Sequence, residues 1–258
     1  MPALVRAFPD SYPGFYAGRG VTIDLTLARR QHAAYVAALE EAGLAVRRVP
    51  ADERFPDCVF IEDTAVVFNN IVVVTRMAAH REGEQAGVLP FLETTHRVVR
   101  LPPGATLDGG DVLHAGEVTC VGRSRRSNAA GAAALREALA PRPVIEIPVE
   151  HCLHLKSAAT WLGDGTMLAA GDWVDVARFP TDRVLLTAPG ENKAANTLRV
   201  GSRLLALSRY GATFDRLRTF CDQHAVSLVG LDESEAEKGD GSLTCLSIVF
   251  TPASDPSS

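Results

Sequence analysis

The sequence predicts an α/β fold built from a repeated β-β-α-β unit. Three observations along the 258 residues lead to this prediction. Short apolar segments recur in pairs around a turn, a helix-favouring stretch follows each pair, and a further apolar segment follows each helix. The repeat is roughly 40 to 50 residues long, which lies within the range of repeat folds.

Four complete units can be placed in order along the chain. The paired strands are predicted at 65–68 with 71–74, 111–114 with 118–121, 160–162 with 166–169, and 197–200 with 203–207. Helices are expected at 81–93, 128–139, 173–177 and 214–224, and third strands at 97–101, 144–147, 184–186 and 226–229. The turns within the pairs are rich in asparagine and glycine, which is typical of hairpins.

The two ends of the chain supply the pieces of a fifth unit. An amphipathic helix is predicted at 25–42, a strand at 45–49 and a last strand at 246–250. Five units can close into a ring that leaves no sheet edge exposed. An ordinary mixed α/β sheet fits the same periodicity, which alone does not decide between the two. No linker divides the chain, so 1–258 is predicted to be one domain with a frayed end at 253–258.

Composition argues against several classes of protein. Apolar residues make up 47% and charged residues 22% of the chain, and the net charge is −5. A mildly acidic chain does not suit nucleic acid or an anionic membrane as its main partner. No apolar run approaches ~18 residues and the N-terminus lacks a signal-peptide pattern, so a cytoplasmic enzyme is expected. The five scattered cysteines are expected to be reduced thiols.

Charged residues first interrupt an apolar segment at Asp57, Glu62 and Asp63, with no lysine or arginine among them. In a regular strand Asp57 and Asp63 would share one face and Glu62 would lie on the other. Buried carboxylates need a cation from outside the segment. That cation is either a metal ion or a guanidinium or ammonium ligand, unless the cluster is simply a solvated strand end.

Three further places combine flexible or apolar sequence with reactive side chains. Asp108 begins the run Asp-Gly-Gly-Asp, which lets the backbone approach a ligand closely but also suits a plain turn. His154 lies between two leucines and is either a buried core histidine or a general acid–base. Cys245 follows a glycine-rich loop and is either a buried apolar residue or a nucleophile presented at a pocket.

Taken together, these segments resemble the dimethylarginine dimethylaminohydrolase family. The matching residues, in chain order, are 56–63, 106–113, Gly122, 126–128, 153–157 and 243–245. The family belongs to the guanidine-modifying, or pentein, superfamily, which also contains arginine deiminase. The resemblance covers nearly the whole chain and implies a five-unit α/β-propeller of β-β-α-β modules with pseudo-fivefold symmetry.

The resemblance implies a hydrolase that converts Nω-methylated arginines to citrulline and dimethylamine or methylamine. Cys245 matches the nucleophile, which forms a covalent thiouronium intermediate. His154 matches the residue that protonates the leaving amine and then activates water. Asp108 matches the acidic residue that binds the guanidinium group and supports His154. No cofactor and no metal ion are implied.

The resemblance also implies contacts to the substrate. Asp57, Glu62 and Asp63 match acidic contacts, with Asp63 the closest match to a guanidinium clamp. Arg126 matches an arginine that binds the α-carboxylate through paired hydrogen bonds, which a lysine would not reproduce.

The remaining implied contacts depend on how the loops align. A second carboxylate-binding arginine is Arg81 or, alternatively, Arg76. The backbone carbonyl of Gly239 is expected to meet the α-amino group. Residues 11–20, with three glycines among aromatic residues, correspond to a flexible lid, although their composition also suits a surface loop.

Three alternatives to this function remain open. The chain can be a deiminase of unmethylated arginine, because a methyl group or two changes discrimination by only ~1–3 kcal/mol. It can be a non-catalytic binding protein with the same ring architecture. A metal site formed by Asp57, Glu62, Asp63 and His154 is the third alternative. The expected partner is a small-molecule substrate, and the chain is expected to be a monomer or a homodimer.

Overall fold

Five small sheets form the structure, a computed structural model that describes residues 1–250. Each sheet contains an antiparallel pair of strands and a third strand that runs parallel to its neighbour. The predicted frayed end at 253–258 lies outside the described residues. The strands are β1 (Pro2–Arg6), β2 (Ala45–Val49), β3 (Ala65–Phe68), β4 (Ile71–Val74), β5 (Arg97–Arg100), β6 (Val112–Ala115), β7 (Val118–Arg123), β8 (Val144–Pro148), β9 (Ala159–Gly163), β10 (Thr166–Ala169), β11 (Arg183–Leu186), β12 (Leu198–Val200), β13 (Arg203–Leu207), β14 (Ser227–Leu231) and β15 (Ser247–Val249).

Seven α-helices lie between these strands, and two of them show the expected sequence signals clearly. In the first, the Asp24 side chain accepts a hydrogen bond from the Leu27 N–H at 2.9 Å and caps the helix N-terminus. In the second, Asn128 caps the helix by accepting from the Gly131 N–H at 2.8 Å. The helices are α1 (Tyr12–Ala17), α2 (Leu25–Glu41), α3 (Leu89–Leu92), α4 (Ala129–Leu139), α5 (Leu155–Ala158), α6 (Gly211–Gln223) and α7 (Ser234–Glu237).

The first sheet joins the two ends of the chain. Strand β1 lies between β15 and β2, antiparallel to the former and parallel to the latter, with Leu4 opposite both Ile248 and Arg47. The sequence prediction placed β2 and β15 in one unit but missed β1, which has only five residues and begins with a proline. The unit that contains this sheet is counted as the first from here on. It is completed only when β1 and β15 pair.

Five apolar clusters hold consecutive units together and close the ring. Each cluster combines buried side chains from one unit with buried side chains from the next. In order around the ring they pair Leu4 and Ile248 with Val67 and Val72, Val66 and Val73 with Val121 and Leu135, Cys120 and Ile147 with Met167 and Ala169, Leu162 and Leu168 with Leu204 and Leu217, and Leu205 and Leu207 with Val5 and Leu39. The last cluster joins the fifth unit to the first, so the predicted five-unit ring is confirmed.

A single helical turn precedes the first strand of every antiparallel pair. These turns are Ile61–Thr64, Gly109–Asp111, α5, Asn192–Ala195 and Leu243–Leu246. Contacts link them in a circle, with the last connection made by the hydrogen bond from the Thr244 N–H to Asn196 Oδ1 at 3.0 Å. The five turns therefore gather at the centre of the ring, where each can bring a side chain to a shared site.

Two predicted helices are largely absent. The expected helix at 81–93 is replaced by two short 3-10 turns, Ala79–Arg81 and Glu84–Gly87, followed by α3. Gly83 has a φ of +91° between the two turns and interrupts the helix there. The predicted helix at 173–177 is likewise only a 3-10 turn, Val176–Arg178.

The glycine-rich segment 11–20 contains a short helix rather than an irregular loop. Tyr12 and Tyr16 lie four residues apart, so they share one face of α1, and both are buried against the rest of the protein. The side chain of Glu53 accepts hydrogen bonds from the backbone N–H groups of Asp10 and Ser11 and anchors the start of this segment. Within residues 1–250, no helix combines the length and apolar character needed to cross a bilayer.

Glu233 is an unusual buried residue of this fold. It lies between β14 and α7, and neither carboxylate oxygen has a hydrogen-bond partner among residues 1–250. Burial, with smaller effects from Asp232 and Glu237, raises the pKa of Glu233 from 4.5 to about 8. A carboxyl group with a raised folded-state pKa stabilises the fold fully below its unfolded pKa and loses that contribution as the pH rises through the folded value.

We predict that Glu233→Gln removes a pH dependence of stability. The free energy of unfolding of the wild-type chain should fall by ~1–4 kcal/mol between about pH 5 and about pH 8.5, because one pKa unit corresponds to ~1.4 kcal/mol. Urea unfolding at both pH values measures the difference. The exposed Glu82→Gln variant serves as the control and should keep the wild-type fall. A Glu233→Gln variant that loses as much stability as the wild type would contradict the prediction.

Candidate active site

A cavity of about 210 Å³ lies at the centre of the ring beneath α1. It brings together most of the residues predicted from the sequence, although they come from separate units. Its lining includes Asp57, Asp63, Arg81, Asp108, Arg126, His154, Gly239 and Cys245, together with Tyr16, Arg19, Phe60, His80, Leu153, Asp240 and Gly241. Glu62 is absent from this lining and faces two other cavities, of about 80 and 280 Å³.

His154 is held between two carboxylates. Its Nε2 lies 3.0 Å from Asp108 Oδ2, and its Nδ1 lies 3.8 Å from Asp63 Oδ1. Burial by itself would lower the pKa of His154, but the charge of Asp63 and the hydrogen bond with Asp108 raise it to about 9. The imidazole is therefore protonated at neutral pH, while Asp108 Oδ1 has no hydrogen-bond partner among residues 1–250 and remains available for a ligand.

The Gly-Gly pair allows this close packing. A Cβ atom at Gly110 would lie 2.5 Å from His154 Nδ1 and 2.9 Å from Asp63 Oδ1, so no larger residue fits there without displacing the site. The Gly110 N–H donates a hydrogen bond to Asp63 Oδ1 at 3.0 Å. The run at 108–111 is thus a turn that also brings Asp108 to the cavity, so the turn interpretation does not exclude a binding role.

Asp111 supports the histidine from behind. Its Oδ1 accepts a hydrogen bond from the backbone N–H of Leu155 at 2.9 Å, and its Oδ2 accepts from the hydroxyls of Ser124 and Ser127, both at 2.6 Å. These bonds fix the residue that directly follows His154. In the sequence, Asp111 is visible only as the second carboxylate of the Asp-Gly-Gly-Asp run.

Asp63 is paired with Arg81. Arg81 Nη1 lies 2.6 Å from Asp63 Oδ2, while Nε and Nη2 bind both oxygens of Glu84 at 2.8 and 2.6 Å. Nη2 also donates to the carbonyl of Phe60 at 2.9 Å. Most N–H donors of Arg81 are therefore used inside the protein. The competing residue, Arg76, is exposed and donates to the carbonyl of Pro102, outside the cavity lining.

Cys245 lies in the helical turn before β15 and is buried, with 8% of its surface exposed. Its backbone N–H donates to the carbonyl of Ser242 at 3.0 Å. Burial, reinforced by the negative charges of Glu62 and Asp63, raises the pKa of Cys245 above its ordinary value. The thiol is thus neutral in the free protein, next to a pocket that carries carboxylates.

Glu62 lies next to the segment that carries Cys245 and not in the cavity lining. Its Oε1 lies 2.5 Å from Lys156 Nζ, and its Oε2 accepts a hydrogen bond from the Thr244 hydroxyl at 3.0 Å. Asn196 completes this network by donating to both Thr244 Oγ1 and the carbonyl of Lys156. The residue before Cys245, Thr244, is therefore held in place by a largely buried ion pair.

Asp57 lies on the same side of the segment as Asp63, as predicted, but not because of strand alternation. The segment is a loop followed by the turn Ile61–Thr64. Asp57 Oδ1 accepts a hydrogen bond from the Tyr16 hydroxyl at 2.7 Å, and its Oδ2 lies 3.2 Å from His80 Nε2. The ring of Phe15 stacks on the ring of His80 with centroids 5.8 Å apart, which docks α1 over the cavity.

The carboxylates that the sequence left without a cation find their partners elsewhere in the chain. Arg81 pairs with Asp63 and Lys156 pairs with Glu62. Fewer of the residues predicted for a metal site therefore remain as possible ligands. Among residues 1–250 the group with suitable ligand atoms, all within 4.8 Å of one another, is Asp63, Asp108 and His154, without Asp57 or Glu62.

Arg126 and Arg19 present positive charge at the cavity. Neither guanidinium group makes an ion pair with a carboxylate of residues 1–250, whereas Arg81 makes two. Arg19 lies at the end of the α1 segment with its guanidinium carbon 3.7 Å from the centre of the Phe15 ring. Arg126 belongs to the segment 126–128, which carries part of the family resemblance. Arg19 was not predicted, because nothing in the local sequence distinguishes it from a surface arginine.

Tyr16, His80 and Lys156 are the other contributors that sequence reasoning missed. The four-residue spacing of Tyr12 and Tyr16 was a signal for a buried helical face. Lys156 lies within a segment that carries the family resemblance, but its partner Glu62 is 94 residues away. His80 directly precedes Arg81, in the loop whose alignment decides between Arg81 and Arg76.

Curated relatives resemble this chain over most of its length. The chain is 41% identical over 232 residues to the N(G),N(G)-dimethylarginine dimethylaminohydrolase of Streptomyces coelicolor, which covers 88% of this chain and 87% of the relative. It is 29% identical over 250 residues to the enzyme of the same name from Pseudomonas aeruginosa, covering 95% of this chain and 96% of the relative. No protein-family model matches the chain.

Solved structures of dimethylarginine dimethylaminohydrolases have the same fold as this chain. A cysteine-to-serine variant of the Pseudomonas aeruginosa enzyme in complex with citrulline superposes with a TM-score of 0.86 at 27% identity, covering 97% of this chain and 99% of that chain. A histidine-to-glycine variant of a dimethylarginine dimethylaminohydrolase, as an adduct with S-methyl-L-thiocitrulline, superposes with the same TM-score and coverage. With the ring, the cavity and the relatives in agreement, the chain belongs to the dimethylarginine dimethylaminohydrolase family of the pentein superfamily.

Proposed function

We propose that this chain hydrolyses Nω-methylated arginines to citrulline and dimethylamine or methylamine. The observation that carries the proposal is the meeting of Cys245, His154 and Asp108 in one cavity, with an unpartnered oxygen of Asp108. A thiol, a protonated imidazole and a free carboxylate oxygen are the groups needed to attack a guanidinium carbon and expel an amine. The activity of the named relatives supports the same reaction.

Each part of the substrate has a counterpart in the cavity. The guanidinium group binds Asp108 Oδ1 and lies close to Asp63, so that its positive charge is matched by buried carboxylates. Arg126 binds the α-carboxylate, and the remaining Nη1 hydrogen of Arg81 is available to it. Asp57 and the carbonyl of Gly239 accept hydrogen bonds from the α-ammonium group. Lys156 and Glu62 support the nucleophile without touching the substrate.

The bound cation activates the nucleophile. A positive charge near Cys245 offsets the effects that raise its pKa, so the thiol loses its proton to solvent when substrate binds. The Cys245 sulfur then attacks the guanidinium carbon, and a tetrahedral adduct forms. His154 donates its proton to the methylated nitrogen, the C–N bond breaks, and methylamine or dimethylamine leaves.

The same histidine completes the reaction. The covalent intermediate is a planar thiouronium cation, and His154 is now neutral. It removes a proton from a water molecule that attacks the same carbon. Cleavage of the C–S bond releases citrulline and restores the Cys245 thiol and the protonated His154.

Discrimination between methylated and unmethylated arginine depends on the space around the leaving nitrogen. One or two methyl groups change the relative rates by only ~1–3 kcal/mol, so a deiminase-like activity on arginine is the second candidate. We also propose that residues 1–258 act as a single catalytic domain. A reducing, cytoplasmic location is in keeping with the five cysteines, all of which are free.

The direct test is citrulline formation from asymmetric dimethylarginine, monomethylarginine and arginine. We expect amine release from the methylated substrates to exceed ammonia release from arginine. Cys245→Ser should lower kcat by more than about 10³-fold, because serine is a far weaker nucleophile at neutral pH. Cys221→Ser, which changes a buried thiol of α6, is the matched control and should retain activity. Citrulline formation by Cys245→Ser at the wild-type rate would disprove the nucleophile assignment.

The pH profile tests the protonated histidine. Because His154 must carry a proton in the first step, kcat/KM should fall as the pH rises through about 9. Asp63→Asn removes the charge that contributes most to raising this pKa, so the falling limb should move to lower pH. Asp240→Asn makes the same change at the rim of the cavity and should leave the limb in place. An unmoved limb in Asp63→Asn would argue against the proposed pairing.

Arg126→Ala tests the carboxylate contact. Losing a charge-assisted hydrogen bond should raise KM by about 10- to 100-fold with little change in kcat, because the bond is present in both the ground state and the transition state. Arg125→Ala removes an exposed neighbouring charge and is the control. Steady-state kinetics on the preferred methylated arginine distinguishes the two. An equal rise in KM for both variants would mean that Arg126 acts only through long-range electrostatics and does not contact the carboxylate.

A further inference from the structure

The Tyr16 hydroxyl reaches from α1 into the cavity and lies between two acceptors. It is 2.7 Å from Asp57 Oδ1 and 3.2 Å from the carbonyl oxygen of Gly239. The second oxygen of Asp57 is already 3.2 Å from His80 Nε2. Asp57 and Gly239 are the groups that the proposed function assigns to the α-ammonium group. Both are therefore occupied before any substrate binds.

This contact is built into the sequence around it. A Cβ atom at position 239 would lie 2.4 Å from the Tyr12 hydroxyl oxygen and 2.7 Å from the Tyr16 hydroxyl oxygen, so the approach of both tyrosines requires glycine there. Tyr16 is 8% exposed, and its ring packs against Tyr12 with centroids 4.8 Å apart. Burial and the charge of Asp57 raise the pKa of Tyr16, so the phenol remains a neutral hydrogen-bond donor.

We propose that Tyr16 is a specificity-determining residue whose hydroxyl occupies the ammonium position whenever the bound guanidine has no ammonium group. An α-ammonium group displaces it and takes over the hydrogen bonds to Asp57 and Gly239. The inference rests on the proposed function for the placement of the ammonium group. It extends the substrate class to Nω-methylated guanidino carboxylic acids that lack an α-amino group.

The physical reason is that only a ligand with an ammonium group must break the hydrogen bond between Tyr16 and Asp57. A ligand with an ammonium group gains charge-assisted hydrogen bonds but loses the existing bond between Tyr16 and the Asp57 carboxylate. A ligand without one leaves that bond intact and still has Arg126 for its carboxylate and Asp108 for its guanidinium group. Tyr16 therefore reduces the difference in affinity between ligands with an ammonium group and ligands without one. This difference should increase when the Tyr16 hydroxyl is removed.

The test compares two ligands that differ only in the α-ammonium group. They are asymmetric dimethylarginine and its desamino analogue, 5-(N′,N′-dimethylguanidino)pentanoate. Binding is measured by calorimetry on the full chain carrying Cys245→Ser, which prevents turnover. Adding Tyr16→Phe should tighten dimethylarginine by about tenfold, as expected for loss of one competing bond to a charged group. The analogue should bind with unchanged or weaker affinity.

Tyr12→Phe is the matched control. Tyr12 lies one turn earlier on α1 and makes neither hydrogen bond, so this variant should leave the ratio of the two dissociation constants unchanged. Weaker binding of dimethylarginine to Tyr16→Phe, or equal shifts for both ligands, would overturn the proposal. Citrulline formation by the wild-type chain is measured separately, so that failure of the proposed reaction is distinguished from failure of the Tyr16 assignment.

Discussion

The carboxylate of Asp63 lies where three parts of the ring meet, and both of its oxygens are used. One oxygen binds Arg81, and the other accepts the Gly110 N–H and faces His154. This single side chain holds the Gly-Gly turn of the third unit next to the histidine of the fourth. It also keeps that histidine protonated, because an uncompensated imidazolium would not survive at this depth. The remaining groups of the site are arranged around this buried charge pair.

The ring explains how residues so far apart in sequence reach Asp63. Every unit begins with one helical turn that points to the centre, and the apolar clusters between units fix the spacing of those turns. Asp63, Cys245 and the residues next to Asp108 and His154 all lie in such turns. The fifth turn, before β12, supplies only support through Asn196. The pseudo-symmetry thus brings different side chains to equivalent positions of one repeated element.

The repeat and the position of the chemistry could be predicted because both are local properties. Alternating apolar strands and the run Asp-Gly-Gly-Asp are visible within a few residues. The partners of the buried carboxylates could not be predicted, since Lys156 and Glu62 come into contact only in the closed ring. Strand β1 was not predicted, because five residues beginning with proline carry little periodic signal. The failed helix at 81–93 shows that glycine in the left-handed region outweighs the helix propensity of its neighbours.

The first sheet has a consequence for how the molecule comes into being. Its strands come from both ends of the described chain, and Cys245 lies in the turn directly before the last of them. During synthesis one edge of β1 therefore stays unpaired until the chain has been made as far as β15. Ring closure and the arrival of Cys245 at the cavity then happen together. A chain truncated before Cys245 contains the strands of the other four sheets and their buried carboxylates, but it lacks this thiol.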